Sequence, residues 1–452
     1  MILKPDTQLF GYQKKCLEWM VQREKSQYPG GILALDMGLG KTLLTIAAIC
    51  SNVTRTLVVV PKSIVSQWAS EFEKFSELKV RVVSASESNK NTFSVGDENV
   101  VLAPISLFSS MKDWTESTFL AQKFDRIVID EAHLIRNHNT KSFKLLASMD
   151  SRVKWALTGT PVVKDDANFR TLLDFIGIFT PSLQYAARNF LYRMTKEDVF
   201  DLPPLVVEDM RSDFLFDEEK RAYDDILHTG VGIAKAYNAY GSREGRMELL
   251  KVFLRLRQTT TNLNITPNDC DESEDFYSGH STKLELLKNA IMSSPVQKTL
   301  IFCHFIAEMK AIESMLKSIG HESVMLNGKI SSKAREVAIE RFKKDINFFI
   351  IQIDAGGVGL NLQNANRVFI NSLHWNGTSE LQAIARSHRI GQGKPVTVTR
   401  LVINNTIDDA IICLQQKKLS VAGDLLGDNR IKTALNNRKM SDFKSIVQLV
   451  FR

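Results

Sequence analysis

From residue 30 the chain alternates short, almost continuous apolar runs with helical stretches: ILAL (32–35), TLVVV (56–60), NVVLA (99–103), RIVID (126–130) and VKWALT (153–158). A run with no polar alternation belongs to a strand covered on both faces, and strands spaced by helices belong to a parallel sheet. The rhythm stops near 162 and returns with KTLIFC (298–303), SVMLN (323–327), NFFIIQI (347–353), RVFINS (367–372) and VTVTRLVI (396–403). Two α/β lobes are predicted. The intervening chain, 162 to 297, is helical in pattern and closes on the polar stretch NDCDESEDFYSGHST, which reads as a linker. The divisions expected are a first lobe over 1–175, a helical insertion and linker over 176–275, a second lobe over 276–415 and a helical brace over 416–452.

Composition changes this picture little. A chain of 452 residues, 44% hydrophobic, is long enough to bury two or more cores. No apolar run approaches the roughly 18 residues of a membrane span, and the N-terminus lacks a signal-peptide pattern, so an intracellular protein is expected. Five scattered cysteines, never paired as CxxC, point to reduced thiols and away from a zinc module. The net charge of +7 permits a polyanionic partner without requiring one.

The first chemistry follows ILAL. Asp36-Met37-Gly38-Leu39-Gly40-Lys41-Thr42 precedes the apolar helix LLTIAAI, the strand, loop and helix setting of a phosphate site. Gly38, Leu39 and Gly40 offer backbone N–H groups to phosphate, Lys41 reaches the β/γ oxygens and Thr42 ligates Mg²⁺, so ATP with Mg²⁺ is the implied cofactor. The strict G-x-x-x-x-G-K-[ST] pattern requires glycine at position 35, where this chain has Leu35.

RIVID ends in Asp130-Glu131-Ala132-His133, which delivers two carboxylates to the carboxyl edge of the sheet, where open α/β folds bind ligands. Asp130 is expected to hold Mg²⁺ and Glu131 to orient and deprotonate the attacking water, with His133 relaying nucleotide state. Thr158 and Gly159, in LTGTP, form a polar turn facing the same site.

This order of motifs resembles superfamily 2 helicases and, within them, the Snf2 family of DNA-dependent ATPases, over most of the chain. The resemblance implies two RecA-like lobes and ATP-driven movement on double-stranded DNA, bare or bearing nucleosomes or other proteins, with a nuclear location or one at viral DNA. Leu9-Phe10-Gly11-Tyr12-Gln13 is similar to the family's entry motif and gives Gln13 an adenine contact. The blocks TLVVVPKSIVSQWASEF (56–72), LNGKISSKAREVAIERF (326–342), DAGGVGLNLQNANRVFI (354–370) and QAIARSHRIGQ (382–392) follow in family order. The last carries Gln382, Arg386 and Arg389 at Q-x-x-x-R-x-x-R spacing, with Gln382 at the nucleotide. On a helix this spacing sets the two arginines one turn apart on one face, as fingers for the transition-state charge. Implied DNA contacts are Lys62, Gln67 and Trp68 in the first lobe and Asn327, Lys329, Asn361 and Trp375 in the second.

The segment between the lobes offers only Cys270 and a few histidines, so the zinc-binding RING of one subgroup is not expected. Without long basic flanks the chain reads as a bare motor, similar to compact viral members of the family. Two rival readings are a strand-separating DNA or RNA helicase and a transcriptional cofactor with a decayed ATPase.

Overall fold

The computed structural model describes residues 3–83, 96–110, 122–135, 137–159, 166–196, 198–263, 265, 281–356, 362–389, 391–426, 447, 450 and 451. The chain divides into two compact units, one of Met1–Asp201 with Val421–Thr433 and one of Leu202–Ser420 with Ala434–Arg452.

The first unit is built on a seven-stranded sheet of order β3-β4-β2-β5-β6-β1-β7. Its strands are β1 (Gly30–Leu35), β2 (Thr56–Val60), β3 (Val80–Val82), β4 (Val100–Pro104), β5 (Arg126–Ile129), β6 (Val153–Leu157) and β7 (Leu191–Met194). All named strand pairs are parallel. Strands β1, β2, β4 and β5 are buried throughout, as their unbroken apolar runs require. The core on one face gathers Ile32, Leu57, Val59, Ile127 and Ile129 from the sheet with Phe143, Phe169, Leu172 and Phe190 from the helices.

Three helices place the chemistry: α1 (Gly11–Glu24), α2 (Lys41–Ser51) and α3 (Val65–Phe75). Helix α1 is bolted to β5 by a buried ion pair. Arg126 Nε and Nη2 donate to the two oxygens of Glu24 at 2.7 and 2.5 Å, and the Trp155 indole adds a third bond at 3.0 Å. Removing either charged partner strands a buried charge, at a cost of about 3–5 kcal/mol.

The second unit carries a six-stranded sheet of order β10-β11-β9-β12-β13-β8. These are β8 (Leu205–Ser212), β9 (Thr299–Cys303), β10 (Ser323–Leu326), β11 (Phe348–Gln352), β12 (Arg367–Ile370) and β13 (Val396–Ile403), again all parallel. Alternate residues of β9 feed opposite faces, Leu300 and Phe302 on one and Ile301 and Cys303 on the other. This is the two-lobed RecA-like α/β architecture.

The segment 176–275 differs from the expectation of helices and linker alone. It supplies an edge strand to each sheet, β7 to the first and β8 to the second. Neither looks like a core strand in sequence, because β8 lies mostly exposed and carries Glu208, Asp209 and Arg211 along an edge. Its register is held from β13 instead, where Arg400 Nε donates to Asp209 at 2.7 Å and Thr399 to Glu208 at 2.9 Å. The helices Asp217–Tyr240 and Arg243–Thr261 pack Tyr223, Leu249, Phe253 and Leu256 into the second unit's core. At the chain's end the helix Ile407–Leu426 joins the same core, and Phe451 stacks on Phe253 at 5.6 Å. Most of the predicted linker and the stretch 427–446 lie outside the described residues. None of the described helices is long and apolar enough to cross a membrane.

Candidate ATP site and nucleic-acid contacts

The phosphate loop runs from Asp36 to Gly40 between β1 and α2, and Gly38 and Gly40 both take left-handed backbone angles, φ 92° and 83°. The positive φ is what asks for glycine at 40; a Cβ there would lie 2.5 Å from Gln13 Nε2, the end of a side chain that would have to shift. Leu35, where the strict pattern has glycine, is the last, buried residue of β1, paired with Met194 of β7. Asp36 continues that seam, donating its N–H to Met194 O at 3.0 Å and accepting the Lys196 N–H at 3.3 Å. Lys41 Nζ donates to Leu35 O at 2.7 Å, and Thr42 stands half-buried beside it.

Gln13 is buried against this loop. Its Oε1 accepts the Phe10 N–H at 3.0 Å and its Nε2 donates to Leu39 O at 3.3 Å, while the Tyr12 hydroxyl reaches the same carbonyl at 3.2 Å. Phe10, Tyr12 and Phe200 form an aromatic cluster next to it, with centroids 5.7 to 6.0 Å apart. Sequence reasoning found Gln13 and missed Tyr12 and Phe200 as its companions.

Asp130 follows β5 and is tied to β2 by its N–H to Val59 O at 2.8 Å. One carboxylate oxygen accepts the Glu131 N–H at 2.8 Å and the other accepts the Trp68 indole N–H at 2.9 Å. Burial first, then the neighbouring Glu131, pushes the Asp130 carboxyl up to about 6, against the pull of Lys41 and of both hydrogen bonds. Glu131 adopts φ 50°, a left-handed conformation that costs a non-glycine residue about 1–3 kcal/mol and that clusters at functional sites. His133 Nδ1 lies 3.1 Å from Glu131 Oε2. Thr158 is fully buried with its N–H on Leu33 O at 3.0 Å, and a Cβ built on Gly159 would lie 3.8 Å from Lys41 Nζ. Lys41, Asp130, Glu131, Thr158 and Gly159 thus stand together at the carboxyl edge of one sheet.

Trp68 is corrected from a DNA contact to a core residue. It is 1% exposed, lies in line with Ile64 and Phe72 at helical spacing, and spends its N–H on Asp130. That i, i+4, i+8 apolar stripe was the signal available in the sequence. Lys62 and Gln67, on the same segment, are exposed.

In the second unit Asn327 and Lys329 follow β10, where the Asn327 Oδ1 accepts the Lys329 N–H at 2.9 Å. Asn361 lies outside the described residues. Trp375 is half-buried against the core, with Phe253 at 5.9 Å and the Arg257 guanidinium 5.6 Å from its ring.

Gln382 sits half-buried on the helix Gly377–Ile384, which is anchored by buried Glu380 accepting from His374 N–H at 2.6 Å and Gln415 Nε2 at 2.7 Å. The helix stops at Ile384, so the two arginines do not share a helical face as expected. Arg386 and Arg389 ride instead on a compact turn closed by Ser387 N–H to Ile384 O at 3.1 Å and Arg389 N–H to Ser387 O at 3.1 Å. Gln392 fixes that turn, its buried amide donating to the carbonyls of Gln363, Ala365 and Ser387 at 2.8, 2.9 and 3.3 Å. His388 adds a bond of 2.9 Å to Pro203 O. Neither residue drew a role from sequence. Arg386 is buried, and burial lowers the pKa of Arg389 from its ordinary value.

Residues 12–184 match the model of the SNF2-related domain, and residues 282–391 that of the helicase conserved C-terminal domain. Together the two models cover more than half of the chain, in the order of the two units. The chain carries an SNF2-related domain followed by a helicase C-terminal domain, the pair of a helicase-like ATPase. A probable global transactivator of Orgyia pseudotsugata multicapsid polyhedrosis virus is 26% identical over 97% of this chain and 94% of its own length. An uncharacterized ATP-dependent helicase of Mycoplasma genitalium is 28% identical over 90% of this chain, and a mouse SWI/SNF-related, matrix-associated, actin-dependent regulator of chromatin (subfamily A member 1) 27% identical over 94%. This Snf2-related chain spans only 41% and 44% of those two relatives. A solved SWI2/SNF2 ATPase core of Sulfolobus solfataricus in complex with dsDNA is 26% identical, covering 96% of this chain and 97% of that one, at a TM-score of 0.42.

Proposed function

We propose that this Snf2-family chain is a motor switched on by double-stranded DNA, which hydrolyses ATP to move along the duplex without having to separate its strands. The observation that carries the reading is the edge cluster of the first unit. A lysine, two carboxylates and a polar turn converge beside a glycine loop, and the segment 62–75, whose helix holds one carboxylate through Trp68, also presents Lys62 and Gln67 to solvent.

Lys41 leaves Leu35 O for the β/γ-phosphates, and the backbone N–H groups of residues 38–40 cradle them. The donor set suits a hard divalent cation: Asp130 is a buried carboxylate driven toward neutrality, a cost that a cation relieves, and Thr42 adds a hydroxyl oxygen. These two residues would hold Mg²⁺, which supplies charge neutralisation across the phosphates. Glu131 orients water for in-line attack and receives its proton, while His133, Thr158 and Gly159 sense the γ-phosphate. Gln13 and Gln382 belong to the nucleotide's binding set, and Arg386 and Arg389 supply positive charge to the transferring phosphoryl group.

Lys62, Gln67, Asn327, Lys329, Asn361 and Trp375 are assigned to the DNA backbone, an assignment without base readout and therefore salt-sensitive and nearly sequence-independent. The track is duplex DNA, bare or bearing nucleosomes or other proteins, in the nucleus or at viral DNA. A triplex-displacement assay run beside a tailed-duplex unwinding assay tests the reading. ATP-dependent displacement of the third strand with the duplex left intact is expected. Unwinding of the tailed duplex as the main output would make the chain a strand-separating helicase.

A further inference from the structure

Trp68 links helix α3 to the carboxylate assigned to the metal. Its indole N–H donates to Asp130 Oδ2 at 2.9 Å, deep in the first unit, where the residue is 1% exposed. The stretch that positions this indole begins at Lys62. The tight turn Lys62–Ile64 runs without interruption into α3, and Lys62 and Gln67 point to solvent while Ile64, Trp68 and Phe72 point inward. Consecutive residues of one helix therefore face a surface available to a polyanion and the carboxylate assigned to the metal.

The bond is also directional. An indole N–H has one donor axis, and a hydrogen bond weakens steeply once donor and acceptor fall out of line. The ring is buried and packs on Phe72, four residues on in the same helix, at a centroid distance of 5.9 Å, so it travels with α3. Any shift or rotation of α3 is therefore passed to Asp130 Oδ2. The other oxygen accepts the Glu131 N–H at 2.8 Å, so a displaced indole would turn the carboxylate about that bond. A buried tryptophan N–H needs a hydrogen-bond partner. Here the acceptor is the side chain of the phosphate site.

We propose that Trp68 is a positioning residue that couples occupancy of Lys62 and Gln67 by duplex DNA to the orientation of Asp130, and through it to the affinity for Mg²⁺-nucleotide. The inference rests on the DNA-dependent reading given above and adds the route by which DNA is sensed.

The test is a coupling measurement on the full chain. A fluorescent, non-hydrolysable ATP analogue is titrated in Mg²⁺ by anisotropy, with and without saturating duplex DNA. The chains compared are the parent, Trp68→Phe, and one with β-(3-benzothienyl)alanine at position 68, which keeps the shape of indole and has no N–H. In the parent, DNA changes the nucleotide Kd by roughly five-fold or more, and nucleotide changes the DNA Kd by the same factor, as linkage demands. In both substituted chains that factor falls to near one, while the nucleotide-free affinity for DNA holds. A substituted chain that keeps the parent's factor overturns the inference and leaves the motor reading standing. Loss of nucleotide-free DNA affinity in the benzothienyl chain also overturns it, by showing that the N–H shapes α3 itself. A factor of one in the parent defeats DNA coupling altogether, and this inference with it. If Trp68→Phe fails to fold, the isosteric chain decides.

Discussion

The ammonium of Lys41 donates to the carbonyl oxygen of Leu35, 2.7 Å away, so the first residue of α2 folds back on the last residue of β1. Phosphate oxygens offer this cation a stronger, charge-assisted partner. Lys41→Ala is expected to lower kcat by about a hundred-fold or more, the scale of losing one transition-state donor, and to weaken nucleotide binding. Near-parental steady-state hydrolysis by that variant would remove Lys41 from the site.

Glu131 is held at φ 50° beside Asp130, a strained placement of the kind that clusters at functional sites. Glu131→Gln keeps the size and removes the base. Its expected phenotype is nucleotide affinity within about two-fold of the parent with hydrolysis down roughly 10²–10⁴-fold. Equal loss of binding and turnover, separated by single-turnover and equilibrium titrations, would argue for a structural role.

Asp130 sets a pH window. Its carboxyl is pushed up to about 6, so the protein without metal binds a proton there as the pH falls, and that proton competes with the cation. The apparent affinity for Mg²⁺ at fixed nucleotide is expected to be flat above pH 7 and to fall by roughly ten-fold per unit below pH 6. Calorimetric titrations between pH 5 and 8 check this, and a flat profile down to pH 5 would contradict it.

Gln392 holds the turn that carries Arg386 and Arg389 through the carbonyls of Gln363, Ala365 and Ser387. Gln392→Ala leaves buried carbonyls unpaired, a cost of about 1–3 kcal/mol that thermal or denaturant unfolding reads out. Arg386→Ala and Arg389→Ala are expected to leave unfolding within about 1 kcal/mol for half-buried Arg389, while turnover falls by about 10³-fold for either. An arginine variant that hydrolyses ATP at the parental rate would exclude that residue as a finger.

Much of this was legible in the residues. TLVVV and VTVTRLVI form β2 and β13 with unchanged ends, because runs buried on both faces have no other periodicity to confuse them. The edge strands β3, β7 and β8 were not legible, since β3 and β7 are short, all three are partly exposed and carry charged residues, and only the neighbouring strand makes them strands. In the site, Lys41, Asp130 and Glu131 announced themselves by their places after strands. Trp68 was misplaced because a motif was weighed above the apolar stripe Ile64, Trp68, Phe72. The turn of Arg386 and Arg389 was hidden because what breaks the helix is a set of long-range bonds from Gln392 that spacing cannot reveal.

The measurement that bears most directly on a DNA-driven motor is steady-state ATP hydrolysis by the purified chain with no nucleic acid, single-stranded DNA, duplex DNA and duplex RNA, with Lys41→Ala and Glu131→Gln as blanks. The account predicts strong stimulation by duplex DNA, abolished in both variants. Stimulation chiefly by RNA or single strands, or no hydrolysis under any condition, would contradict it.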